Sequence, residues 1–266
     1  PRPLVAAFLV FLLALGVSAV IIRLAEHSRV LTRQQQAHAT ANDHARLLEE
    51  QIYRSLSATY ALAAVLRQGH GEIPNFETLA REMLPLYPGV SALQLAPGGV
   101  IRHSVPLEGN EKVIGHELLK DPERNKEAFL AVETRKLTLA GPLELIQGGV
   151  AVIGRLPLFL PDNSGTERFW GFITALVRIE DLISASRMDD LAQDGYHYKL
   201  WRIHPDTGQM HTFVSYTQSE LREPIAQELE VPNGRWTLSV APVKGWHATY
   251  SLIYETTLAL LASLIA

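Results

Sequence analysis

Cysteine is absent from the 266-residue chain. A disulfide framework, a thiolate zinc site and a cysteine nucleophile are therefore excluded. Charge of one sign is also lacking. Lys and Arg total 24 against 28 Asp and Glu, a net charge of -4, and the basic residues form no stripe. Nothing in that distribution recruits nucleic acid. No Gly-x-Ser-x-Gly, His-Glu-x-x-His or phosphate-binding loop occurs, so hydrolase and nucleotide chemistry have no support. The pair Gly148-Gly149 reads as a turn. The chain is read as carrying no catalytic residue, no metal site and no cofactor.

What the chain has instead is a long apolar run. Residues 4–22, LVAAFLVFLLALGVSAVII, carry no charge. About twenty apolar residues cross a bilayer core. A cleaved signal peptide would be shorter and would end in a small-x-small site, whereas Ile21, Ile22 and Arg23 follow here. An uncleaved membrane anchor is expected over residues 1–23. The far end is apolar too, reading TTLALLASLIA from Thr256. Residues 249–266 are expected to be the start of a second span, with both chain ends cut. Charge does not orient the anchor: Arg2 lies on one side, and Arg23, Arg29 and Arg33 on the other.

Residues 26–68 contain neither proline nor glycine. Ala41, Ala45, Leu48, Ile52, Leu56 and Ala63 recur at steps of three and four, or their sum, which marks one face of a helix. The anchor is expected to continue into one helix, with residues 24–70 as a stalk. The stripe Ala41, Ala45, Leu48, Ile52 and Leu56 has two readings. It is a homodimer seam narrow enough for a coiled coil, or it packs on the chain's own domain.

Gly69, Gly71 and Pro74 stop that helix. Asn75 is expected to cap the next one, with Phe76, Leu79 and Met83 inward. Strands are predicted over 91–95 and 100–105 about a Pro97-Gly98-Gly99 turn. A helix is predicted from Asp121-Pro122 to about Thr134, and strands over 138–140, 143–147 and 151–158. The polar cluster 161–167 marks a boundary. Beyond it come a strand over 169–177, a helix over 179–186, a hairpin of 196–203 with 210–216, and a strand over 236–240. Segregated helices on antiparallel sheets make an α+β fold.

Several short motifs fall in order. Gly115-His116-Glu117-Leu118 precedes Asp121-Pro122-Glu123-Arg124-Asn125. Then come Ala131-Val132-Glu133-Thr134, Leu139-Ala140-Gly141-Pro142, and a strand ending Arg155-Leu156-Pro157-Leu158-Phe159. Pro88 to Leu93, and Ile179-Glu180-Asp181-Leu182 after the 169–177 strand, extend the series. Between two apolar segments, this layout resembles the CHASE domain, the extracellular sensor of cytokinin receptors, bacterial histidine kinases and cyclic-di-GMP enzymes. The resemblance implies two PAS-like subdomains: a membrane-distal, ligand-sensing one over 71–162 and a membrane-proximal one over 163–248. It places them in the periplasm or extracellular space, outside the inner membrane. It also implies a small-molecule ligand and a cytoplasmic output, whether a diguanylate cyclase, a phosphodiesterase or a histidine kinase.

The ligand pocket of such a fold is expected to involve Leu139, Ala140, Gly141, Val152 and Gly154, with Leu93 and Leu95 beneath and Glu117 on the closing loop. Glu117 is read either as a ligand acceptor or as a surface carboxylate. Three positions depart from the family: Glu117 replaces its usual Asp, Ala140 a ligand-contacting Thr, and Arg135 a Gly. A cytokinin-like ligand is therefore not expected. His197, His204 and His211 recur every seven residues, but spacing alone does not bring their rings together. The alternatives are a double-Cache-type chemoreceptor sensor, or a membrane-anchored assembly protein. The first would keep a pocket with other residues; the second would show an exposed apolar patch instead.

Overall fold

The computed structural model describes residues 2–122, 125–145, 148–162, 164–205, 207–247 and 256–258. One unbroken helix, α1 (Arg2–Gln68), opens the chain. At 1.5 Å per residue it is about 100 Å long. From Phe8 to Ile22 it is apolar, with Phe8, Leu13 and Ile21 all more than half accessible. From Phe8 the helix is long and apolar enough to cross a membrane. The absence of Pro and Gly after Gly16 is what lets it run on without a kink. The expected second span lies outside the described residues, save Thr256–Leu258, which are helical.

Two antiparallel sheets follow. The first is built from β1 (Val90–Pro97), β2 (His103–Val105), β3 (Thr138–Glu144), β4 (Val150–Pro161) and β5 (Glu167–Arg178), in the order β2-β1-β5-β4-β3. The second joins β6 (Tyr196–Ile203), β7 (Met210–Ser215), β8 (Ile225–Val231) and β9 (Gly234–Pro242), in the order β7-β6-β9-β8. Short helices α2 (Phe76–Met83), α3 (Lys126–Thr134), α4 (Ile179–Ala185) and α5 (Met188–Gln193) flank them. This is the expected α+β arrangement.

Helix α1 lies along both sheets. Near its middle, Glu49 accepts a hydrogen bond from the backbone N–H of Glu230 on β8, at 3.2 Å. Further on, Leu56 meets β4 at Gly154, and Gln51 and Ser55 both donate to the carbonyl of Pro88, just before β1. The four-stranded sheet is thus nearer the apolar end of α1, and the five-stranded sheet farther from it. One continuous core of α1, both sheets and α4–α5 results.

That core corrects the seam. Ala41, Ala45, Leu48, Ile52 and Leu56 are all at most 2% exposed, and they pack against the chain's own sheets. A side chain already buried by its own domain cannot meet a second chain without unpacking. The apolar spacing was a helix-on-sheet face, whose period is nearly that of a coiled coil. The outward side of the same stretch carries Leu47, Glu50, Tyr53, Ser57 and Tyr60 instead.

Smaller departures have local causes. Asn75 adopts the left-handed region and makes no side-chain cap; its carbonyl alone accepts from Leu79. Helix α3 begins at Lys126 rather than at Asp121. Residues 100–102 leave the sheet, because Val100 bridges to Glu117 and Ile101 bonds across to His116. Strand β8 and helix α5 were not predicted; β8 reads IAQELEV, with Glu228 and Glu230 exposed and Leu229 and Val231 buried.

Candidate functional site

The five-stranded sheet has two faces, and they are chemically different. One packs on α1 through Leu93, Leu95, Leu139, Val152, Leu156 and Ala175. The other is covered by α3 and by the segment around Val113 to Leu119. Its central row is polar.

Register alone assembles that row. Ser104 pairs with Gln94, Gln94 with Thr174, Thr174 with Arg155, and Arg155 with Thr138. Partners in an antiparallel pair point to the same side, so five polar side chains cross all five strands in a line. None exceeds 6% exposure. Thr174 donates to the Gln94 carbonyl at 2.9 Å, and the Gln94 amide donates to Ser104 at 3.3 Å. At the far end, Thr138 donates to the carbonyl of Glu127 on α3, at 2.9 Å. The next row, Ala92, Leu176, Ile153 and Ala140, is apolar.

A cavity of about 30 Å³ sits over this face. Gln94, Thr174, Arg155 and His116 give it polar walls. Ile101, Val113, Leu118, Leu145, Ile153 and Leu176 give it apolar ones. One water needs about 10–15 Å³ of such space, so the cavity has room for two or three. Burying a guanidinium is costly unless its surroundings answer it, and Arg155 is 1% exposed. His116 stands at the cavity's edge with the Asp121 carboxylate 3.3 Å away. The arrangement can hold a small polar molecule by several hydrogen bonds while its remaining atoms meet apolar surface.

The residues expected at the pocket divide between the two faces. Leu93, Leu95, Val152 and Gly154 lie on the α1 side, one position out of phase with Gln94, Ile153 and Arg155. Leu139 also lies there, at the edge of a cleft between the sheets. Ala140 shares the cavity face, buried beside Ile153. Gly141 forms a bulge where an added Cβ would meet the Ala151 carbonyl at 2.8 Å. Glu117 points outward to Lys120, at 2.6 Å, while its neighbours His116 and Leu118 line the cavity. Gln94, Thr174 and Arg155 were missed, although single polar residues inside SALQLAP, GFITALV and VIGRLPL were a visible signal.

The cleft between the sheets is larger, about 210 Å³, and is lined by Lys126, Leu139, Arg202, Asn233, Arg235 and Trp236 among others. Asn233 accepts from the Leu139 N–H at 2.6 Å and fastens the two sheets together. Arg235 there is two-thirds exposed and paired with Glu228. An open, solvated charge of this kind discriminates ligands less than a buried one.

In the four-stranded sheet, His204 and His211 stack edge to face at 6.1 Å, while His197 packs beside Tyr216. Burial, with Arg202 and His204 adding to it, holds His211 below its ordinary pKa. Burial pushes the Tyr198 hydroxyl up to about 12. Burial also lowers His44 on α1, partly offset by Asp190 and Asp194. Among the described residues no group of three or more His, Asp, Glu or Cys is placed to hold a metal ion.

A solved structure shares this fold. An extracellular ligand-binding receptor from Desulfohalobium retbaense superposes with a TM-score of 0.61 at 12% identity. The match covers 77% of this chain and 40% of that one, so the chain spans well under half the receptor's length. The LuxQ periplasmic domain of Vibrio cholerae aligns at 10% identity over 77% of this chain and 98% of its own, with a TM-score of 0.38. No curated protein matches the sequence. The model of the CHASE domain matches residues 29–212. That is more than half of the length and takes in both the end of the long helix and the whole five-stranded sheet, so the chain belongs to the CHASE domain family.

Proposed function

We propose that this chain is the small-molecule-sensing input module of a membrane receptor, with its ligand bound at the polar row of the five-stranded sheet. The observation that carries this reading is the two-sidedness of that sheet. One face holds a cavity with buried polar groups, and the other packs directly on the helix that leads to the anchor. A ligand that prefers one setting of the sheet biases the helix by its difference in affinity for the two settings. The sheet is rigid and close-packed, so a displacement on one face reaches the other.

In this reading α1 crosses the inner membrane, the two sheets lie in the periplasm or outside the cell, and a cytoplasmic output follows. A diguanylate cyclase, a phosphodiesterase or a histidine kinase suits that role. Two copies act together, and the surface that remains for a second copy is the outward side of α1 around Leu47, Tyr53 and Tyr60. This reading keeps the anchor 1–23, the stalk 24–70 and a second anchor from 249, but moves the boundary expected between 71–162 and 163–248 to beyond β5, because β5 pairs with β1 and β4 at the centre of the five-stranded sheet.

The test is a thermal-shift screen of small metabolites against the whole chain in detergent. A compound that raises the melting temperature of the wild type should bind Ile153→Trp at least tenfold more weakly, because the indole fills the cavity. Arg202→Ala, in the cleft between the sheets, should leave its affinity unchanged. Loss of binding in Arg202→Ala alone would move the site to the cleft.

A further inference from the structure

We infer that His44 makes the contact between α1 and α5 acid-labile, so that protons act on the same helix that leads to the anchor. That a loosened α1 reaches an output rests on the sensor reading; the acid-labile contact itself does not. His44 is 9% exposed. Its neighbours on α1, Ala41, Ala45 and Leu48, share the core with Met188 and Leu191 of α5. The imidazole Nδ1 is buried and has no hydrogen-bond partner. A neutral ring tolerates such a place. An imidazolium carries a charge and donates from both nitrogens, so burial there without acceptors costs it heavily.

Four charged groups act on the ring. Asp43 precedes it on α1, while Arg187, Asp190 and Asp194 stand just before, within and just after α5. The Arg187 guanidinium lies 2.7 Å from the Asp190 carboxylate, so that carboxylate already has a cation. Asp43 and Asp194 are exposed, where water weakens their pull. Burial therefore outweighs the attraction of Asp190 and Asp194 and holds the imidazole below its ordinary pKa, with Arg187 adding to the effect. A group that protonates less readily in the fold than in the unfolded chain stabilises the fold above its ordinary range. That contribution is lost as pH falls below about 6.5. The carboxylates stay ionised over that window. A protonated ring then gains by turning out toward them, which takes it from between α1 and α5. Helix α5 follows α4, which packs on β4 and β5, and leads into β6. Loosening it frees α1 from the junction of the two sheets.

The experiment is hydrogen exchange of the whole chain in detergent at about pH 7.5 and about pH 5, corrected for the intrinsic pH dependence of exchange. Acid should raise local opening of α1 over residues 41–48, and of α5, about threefold or more. His44→Phe keeps a ring without a titrating nitrogen and should remove that rise. His211→Gln deletes the other imidazole that burial holds low and should leave the rise unchanged. Should His44→Phe fail to fold, His44→Gln puts a neutral polar side chain in its place and should remove the rise as well. An acid response that persists in the folded His44 variant overturns the assignment. So does one lost in His211→Gln, or a wild type whose α1 and α5 open equally at both pH values. No small molecule enters this measurement, so its failure leaves the sensor reading intact, and a chain that binds no metabolite leaves the acid-labile contact intact.

Discussion

Replacing Gly171 with alanine should lower folding stability by about 2–6 kcal/mol. Gly171 sits in β5, the central strand, with Pro97 of β1 opposite on one side and Leu158 of β4 on the other. Its φ is 148°, a conformation that side-chain-bearing residues rarely adopt, and forcing one there costs about 1–3 kcal/mol. Space is the second obstacle. A Cβ would stand 2.2 Å from the Ala96 carbonyl oxygen and 2.8 Å from the Pro97 Cα. Both are backbone atoms, so relief requires β1 to move, and overpacking of this sort costs about 1–3 kcal/mol more. Against a total stability of about 5–15 kcal/mol, that removes a large share. The urea midpoint of the chain in detergent should fall steeply. A loss under about 1 kcal/mol would show that β1 and β5 are not so closely joined.

Gly154→Leu should cost about 2–3 kcal/mol, through the helix rather than the sheet. An added Cβ at Gly154 would lie 2.2 Å from Leu56 Cδ2 and 3.4 Å from its Cγ. Leu56 is 1% exposed and surrounded by core, so its side chain cannot swing clear. The absence of a side chain at 154 is what lets α1 lie close to the sheet. Gly154→Leu combined with Leu56→Ala should recover part of the loss, since the new side chain then occupies the space vacated by the old one. Such non-additivity is expected only of residues in contact. Additive losses would mean that the two positions do not touch.

The same contact shows where the sequence was legible. The run without Pro or Gly after residue 16 predicts the single helix, and α1 is unbroken to Gln68. Apolar strands and their turn residues predict most of both sheets. The ordered motifs from Gly115 to Phe159 point to the family. What the apolar pattern does not carry is facing. A strand buried on both sides reads as a continuous apolar run, so the choice between Leu93 and Gln94, or Val152 and Ile153, is a choice between faces one residue apart. The expected pocket falls largely on the helix side for that reason. The polar exceptions Gln94, Arg155 and Thr174 distinguish the faces, because a buried polar residue requires partners. The stripe from Ala41 to Leu56 was ambiguous in the same way: burial against a sheet and burial against another helix select nearly the same spacing.

Hydrogen exchange of the chain, with and without the small molecule that gives the largest thermal shift, tests the coupling of the two faces most directly. The account predicts added protection in β1, β4 and β5 and, across the sheet, in α1 between Leu48 and Leu62. Protection gained only in the four-stranded sheet, or in the five-stranded sheet with α1 unchanged, would contradict it.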